Sequence, residues 1–236
     1  MTKLKKIGVI GTQCVGKSTL IEDMTLQWPQ LQRPTKTYRD LIKEKNLPIN
    51  KHGTKESQEA ILNFLVDEAM GNVGSKKMIF DRTPLDNLVY SLWLYDKQTS
   101  DIDEAFIDKC VITVRHALKF YSVLFYLPLV RENDVALTVK EHRDIDPVYR
   151  GEIGVLFEML YKAWQKGGSK FFDNEDCPPI IPIYGNPLER IAMLKLYINE
   201  KCEFYGESES LITKDINEQA FLSEQLGLSN KNLHKK

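Results

Sequence analysis

Eight consecutive residues carry the sharpest chemical signal in this 236-residue chain: Gly11-Thr12-Gln13-Cys14-Val15-Gly16-Lys17-Ser18. Glycines at the first and sixth positions let the backbone turn back on itself, so that several amides point at one anion. The helix that opens at Gly16 adds its N-terminal dipole. Lys17 supplies a fixed positive charge, and the Ser18 hydroxyl is placed to ligate magnesium, with Thr19 supplementing it. The pattern G-x-x-x-x-G-K-[ST] therefore predicts a cradle for the β- and γ-phosphates of a nucleoside triphosphate, and it makes every residue from Gly11 to Thr19 a candidate nucleotide contact. Chance yields the pattern in about 1% of chains of this length. Here it also falls between a short Ile/Val-rich run and a helical pattern, which is its confirming context. Cys14 reads as a small residue at a variable loop position, although the surrounding amides and Lys17 would lower a thiol pKa there.

The loop alone does not say what happens to the triphosphate. A GTPase would add a guanine-reading N-K-x-D and a D-x-x-G after its second strand, and neither is present. A motor-type or AAA-type ATPase would carry an acidic pair closing its second core strand. In this chain Met78-Ile79-Phe80-Asp81 is followed by Arg82, which sets that branch aside.

The loop together with Ile79-Phe80-Asp81-Arg82-Thr83-Pro84-Leu85-Asp86-Asn87 resembles the nucleoside and nucleotide kinase branch of P-loop proteins. Thymidylate kinases carry a similar strand ending in Asp-Arg, followed by a helix with a tyrosine, and small domains related to nicotinamide riboside kinase are similar in layout. The resemblance spans about residues 4–199 and implies ATP and Mg2+ as cofactors, with a nucleoside or nucleoside monophosphate as acceptor. It also implies roles. Asp81 would hold magnesium or act as base toward an acceptor hydroxyl, since a carboxylate there abuts both. Arg82 would clasp an acceptor phosphate or the transferring phosphoryl group. Asp86 and Tyr90, one turn apart on the next helix, would face the acceptor. Arg39, in Tyr38-Arg39-Asp40, stands where the thymidylate kinase pattern has a different segment, and it is carried as a further acceptor contact.

A kinase must also keep water from the triphosphate, commonly with an arginine-bearing lid. The polar stretch 131–146 lies where the family carries one. Arg143, then Arg150 in the first turn of the following helix, then Arg131 are its candidates, whereas His142 reads as a surface histidine. After the last strand, Gly185-Asn186-Pro187 is a turn and helix start, with Asn186 and Arg190 as adenine-side candidates.

These residues need a scaffold, and the patterning supplies one. Short apolar runs at 3–10, 77–80, 123–127 and 180–184 alternate with helical patterns, the mark of a parallel sheet covered by helices. A fainter strand near 32–38 makes a fifth. Helices are expected from residue 16 to about 27, over 38–44, over Lys55–Met70, from Pro84, over 103–121, from Asp146-Pro147 and from Asn186-Pro187 to about 199. In the helix after Pro147, Val155, Leu156, Met159, Leu160, Ala163 and Trp164 suggest the core face. The expectation is an α/β, three-layer P-loop fold: a mostly parallel five-stranded sheet, helices on both faces and a small lid, with the site at the carboxyl ends of the strands. The kinase domain is taken as residues 1–200, with the lid at about 131–150, and 201–236 as a polar extension holding one short helix near 218–226.

Composition narrows the partners. The apolar fraction of 42% and charged fraction of 28% are ordinary for a globular protein. A net charge of −1 advertises no nucleic-acid partner, which disfavours a polynucleotide 5′-kinase. The four cysteines show no zinc-like spacing and suggest a reducing compartment. No apolar run is long enough for a signal core or a membrane span, so the chain is read as cytoplasmic. An ATP-hydrolysing switch without a small acceptor remains the rival, and the oligomeric state is open.

Overall fold

The computed structural model describes residues 4–130, 146–173 and 177–205. Among them five strands form one sheet: β1 (Lys6–Ile10), β2 (Leu31–Gln32), β3 (Lys77–Asp81), β4 (Val123–Tyr126) and β5 (Ile180–Pro182). Their order is β2-β3-β1-β4-β5, and every pairing is parallel. Seven helices accompany them: α1 (Lys17–Gln27), α2 (Tyr38–Lys45), α3 (Lys55–Met70), α4 (Pro84–Lys97), α5 (Glu104–Leu118), α6 (Pro147–Lys166) and α7 (Pro187–Leu194).

The two-residue period of the strands sorts the core into two layers. Ile7 and Val9 of β1, Ile79 of β3, and Val123, Phe125 and Leu127 of the β4 segment face α1 and α7. Ile10, Phe80, Leu124 and Tyr126 point the other way, onto α4, α5 and α6. A sheet covered on both faces explains why β1 and β4 are apolar at nearly every position. A third, smaller cluster holds α2 to α3 through Leu41, Ile42, Ile61 and Leu65.

Two expectations shift. The faint strand is only Leu31–Gln32, pairing with Lys77 and Met78, because Leu31 alone supplies an inward apolar side chain. The core face of α6 is rotated from the expected one. Tyr149, Arg150, Ile153, Gly154, Phe157 and Leu160 are buried, whereas Val155 and Met159 are exposed. Both sets recur at helical spacing, and packing chose between them. Gly154 lies so close to Leu129 that an added Cβ would stand 3.1 Å from its side chain, which turns that face inward. The last helix ends at Leu194, short of the expected 199, and turns follow it.

No helix among the described residues is long and apolar enough to cross a membrane. The expected lid candidates Arg131 and Arg143, the expected surface histidine His142, and the expected helix near 218–226 lie outside the described residues.

Candidate active site

The phosphate loop fills the six residues between the end of β1 and the start of α1. Three of them have left-handed backbone: Gly11 (φ 139°), Cys14 (φ 57°) and Gly16 (φ 86°). At Gly11 a Cβ would sit 2.6 Å from the Leu127 carbonyl oxygen, so both the angle and the space call for glycine. The loop carbonyls are then tied down one after another by cations. Lys17 Nζ donates to the carbonyls of Gly11 and Thr12, each at 2.6 Å. Arg150 donates from Nε to Gln13 O at 3.1 Å and from Nη2 to Cys14 O at 2.7 Å. Arg190 Nη1 donates to Val15 O at 2.9 Å. Burial, aided by the nearby Arg82 charge, pulls the Lys17 ammonium down to about 7 against the opposing pull of Asp81 and Asp86.

Beside the loop stands the end of β3, brought level by the register that pairs Val9 with Asp81. Asp81 Oδ2 accepts from Ser18 Oγ at 3.0 Å and from Arg39 Nη1 at 3.2 Å. Its other oxygen, Oδ1, is buried and has no hydrogen-bond partner among the described residues. Burial pushes this carboxyl up. The charges of Lys17, Arg39 and Arg82 and the Ser18 hydrogen bond outweigh that push and hold it below the usual carboxylate range.

Arg82 follows in left-handed backbone at φ 85°, an uncommon conformation for a residue with a Cβ. Its Nε donates to Tyr38 Oη at 2.8 Å and its Nη2 to Tyr90 Oη at 3.1 Å. Because Tyr90 accepts from Arg82, its own hydroxyl proton goes to Gln13 Oε1, 2.9 Å away. Asp86 closes the group from the first turn of α4. It accepts from Thr83 N at 2.9 Å as a helix-start bond and from Gly11 N at 3.4 Å, and burial lifts its carboxyl to about 6. Tyr38 and Arg39 are delivered by the start of α2, where Asp40 Oδ2 accepts from Thr37 N at 2.7 Å.

A protein-family model described as an AAA domain matches residues 6–167. The chain belongs to that family. The match corrects the expectation that an Asp-Arg strand end excludes an AAA-type domain, since β3 ends in that pair inside the matched span. The fold of this AAA domain is that of P-loop nucleoside and nucleotide kinases. Thymidylate kinase from Candida albicans superposes with a TM-score of 0.59 at 13% identity, covering 86% of this chain and 95% of that one. Deoxyadenosine kinase from M. mycoides, with dCMP and dCDP bound, gives 0.58 at 16% identity over 80% and 95%. The NadR protein in complex with NAD and AMP-PNP gives 0.51 at 12% identity over 82% and 48%. A comparison with curated proteins returned no match.

Within this AAA domain, Lys17, Ser18, Asp81, Arg82, Asp86, Tyr90 and Arg39 come together at the carboxyl ends of β1 and β3. Arg150 joins them at the first turn of α6, packed onto the loop instead of hanging free above it. Thr19 lies exposed on α1. The Asn186 side chain is occupied as the α7 cap, accepting from Leu188 N and Glu189 N. Two participants had no sequence signal of their own. Tyr38 stands out in the sequence only as the neighbour of Arg39 at the start of a short helix, yet it anchors Arg82. Gln58 of α3 is buried against α4, where its Oε1 accepts from Asn87 Nδ2 at 2.9 Å. A lone glutamine in an otherwise amphipathic helix gives no hint of that.

Proposed function

We propose that this domain is an ATP-dependent phosphotransferase that moves the γ-phosphate to a small acceptor, a nucleoside or a nucleoside monophosphate. The observation that carries the reading is the meeting of Lys17, Ser18, Asp81, Arg39 and Arg82 at the ends of two adjacent parallel strands. Two guanidiniums and the Lys17 amine, which is poised near neutrality, converge there on one carboxylate held below the usual range and a second lifted to about 6, a balance that favours an added anion such as a triphosphate.

The donor set fits magnesium: the Ser18 hydroxyl and the otherwise unpartnered Asp81 Oδ1 are hard oxygens within one small region. Held by Ser18 and Asp81, magnesium would supply positive charge to offset the negative charge of the triphosphate. The chain's own part is positioning. The loop amides and Lys17 hold the phosphates. Arg82, braced by Tyr38 and Tyr90, presents its guanidinium from a fixed place, and Arg39, paired with Asp81, is the candidate contact to the acceptor. The likeness to kinases of nucleosides and nucleotides supports the choice of acceptor class.

The test is incubation with γ-labelled ATP and a panel of nucleosides and nucleoside monophosphates. Label moving to a subset of the panel supports the reading. Phosphate release at one rate for every panel member sinks it and favours an ATP-hydrolysing switch, the second reading that the AAA-domain match brings forward.

A further inference from the structure

We infer that Arg190 is a positioning residue of the phosphate loop, fixing the Val15–Gly16 peptide so that its N–H faces the bound anion and tying that peptide to the turn before α7. This rests on the proposed binding of a triphosphate at the loop. A peptide group is planar, and in its trans form the N–H points opposite to the carbonyl. Fixing the direction of a carbonyl therefore also fixes the direction of the amide that follows it. Lys17 holds the Gly11 and Thr12 carbonyls, and Arg150 those of Gln13 and Cys14. Arg190 holds the last one, Val15, and so orients the amide of Gly16, at the start of α1.

The arginine is built in for this task. It is 5% exposed, and burying a guanidinium is unfavourable unless its donors and charge are answered. Nη1 meets Val15 O at 2.9 Å, Nε meets Gly185 O at 2.8 Å, and the charge of Asp23 on α1 acts on it from the side. A Cβ on Gly16 would stand 2.6 Å from Nη1, so the contact also uses the space that glycine leaves. One fork thus spans two carbonyls 170 residues apart in sequence, one on the phosphate loop and one on the β5–α7 turn. A lysine keeps the charge and cannot reproduce the planar fork.

Equilibrium binding of ATP, inorganic tripolyphosphate and adenosine to the wild-type chain, Arg190→Ala and Arg190→Lys tests this. For Arg190→Ala the expected result is a loss of about 10- to 100-fold for ATP and for tripolyphosphate, with adenosine changed by less than about twofold. For Arg190→Lys the loss for tripolyphosphate is about three- to tenfold. In turnover, the KM for ATP rises with the same ratios while the KM for the acceptor stays put. If Arg190→Ala does not unfold cooperatively, the lysine variant decides alone. Variants that bind tripolyphosphate as the wild type does overturn the inference and leave the phosphotransferase reading standing. A wild-type chain that binds neither ATP nor tripolyphosphate overturns both.

Discussion

Ser18 Oγ donates to Asp81 Oδ2 across 3.0 Å, joining the first turn of α1 to the end of β3. The bond follows from topology: β1 and β3 are neighbours in parallel register, so the loop leaving β1 turns directly over the last residue of β3. Hydroxyl and carboxylate are thereby held side by side, a preorganised pair of oxygens for the proposed phosphoryl transfer.

Asp81→Asn removes a negative charge and keeps the shape. Phosphoryl transfer is expected to fall by about 10²- to 10³-fold, with ATP affinity changed much less. Single-turnover transfer with labelled ATP, alongside equilibrium ATP binding at saturating magnesium, makes the comparison. Near-normal transfer would remove Asp81 from the proposed machinery.

Lys17→Ala deletes the ammonium that is shared between the Gly11 and Thr12 carbonyls. The expected outcome is a loss of ATP affinity of about 100-fold or more, near 2.7 kcal/mol. Equilibrium binding of labelled ATP measures it, and a variant that binds ATP as the wild type does would remove Lys17 from the proposed site.

Glu68, on α3 away from the site, is a pH reporter. Burial pushes its carboxyl from an ordinary value of 4.5 up to about 7. The folded chain therefore holds a proton that the unfolded chain releases. The stabilisation is complete below about 4.5 and is lost as pH rises toward 7. Glu68→Gln removes that dependence. At about pH 8 the variant should be more stable by roughly 1–2 kcal/mol, a figure reduced for partial solvation, and the gap should close toward about pH 5. Urea unfolding at the two pH values measures it. A gap that does not change with pH would be the wrong result.

Gly11→Ala and Gly74→Ala separate backbone strain from collision. Both glycines have positive φ, but a Cβ meets the Leu127 carbonyl at position 11 and nothing within 4 Å at position 74. At position 74 about 1 kcal/mol is expected. At position 11 the cost should exceed that by about 1–3 kcal/mol, lowering Tm by a further ~4–10 °C and abolishing ATP binding. Equal Tm shifts would show that the contact at Leu127 yields easily.

The sequence made some parts legible and hid others for physical reasons. The loop could be read because its chemistry tolerates few residue types at positions 11, 16, 17 and 18, and α3 because apolar residues recur at helical spacing over Lys55–Met70. Asp81 and Arg82 stood out by ending an apolar strand. The inward face of α6 was hidden because a charged Arg150 and a small Gly154 lie on it, and neither reads as core. The role of Arg190 was hidden for a related reason. Its partners are backbone carbonyls at positions 15 and 185, and carbonyls leave no mark in a sequence.

The strand order has a further consequence. β1 lies at the middle of the sheet, hydrogen-bonded to β3 on one side and β4 on the other, with Ile7 and Val9 almost wholly enclosed. The short pairing of β2 with β3 and the three-residue β5 form the rims. Rims fray first, so deuterium should enter β2 and β5 through small local openings, while the amides of β1 exchange only when the whole domain comes apart. The loop proposed to hold the phosphates is thus rooted in what should be the slowest-exchanging part of the molecule.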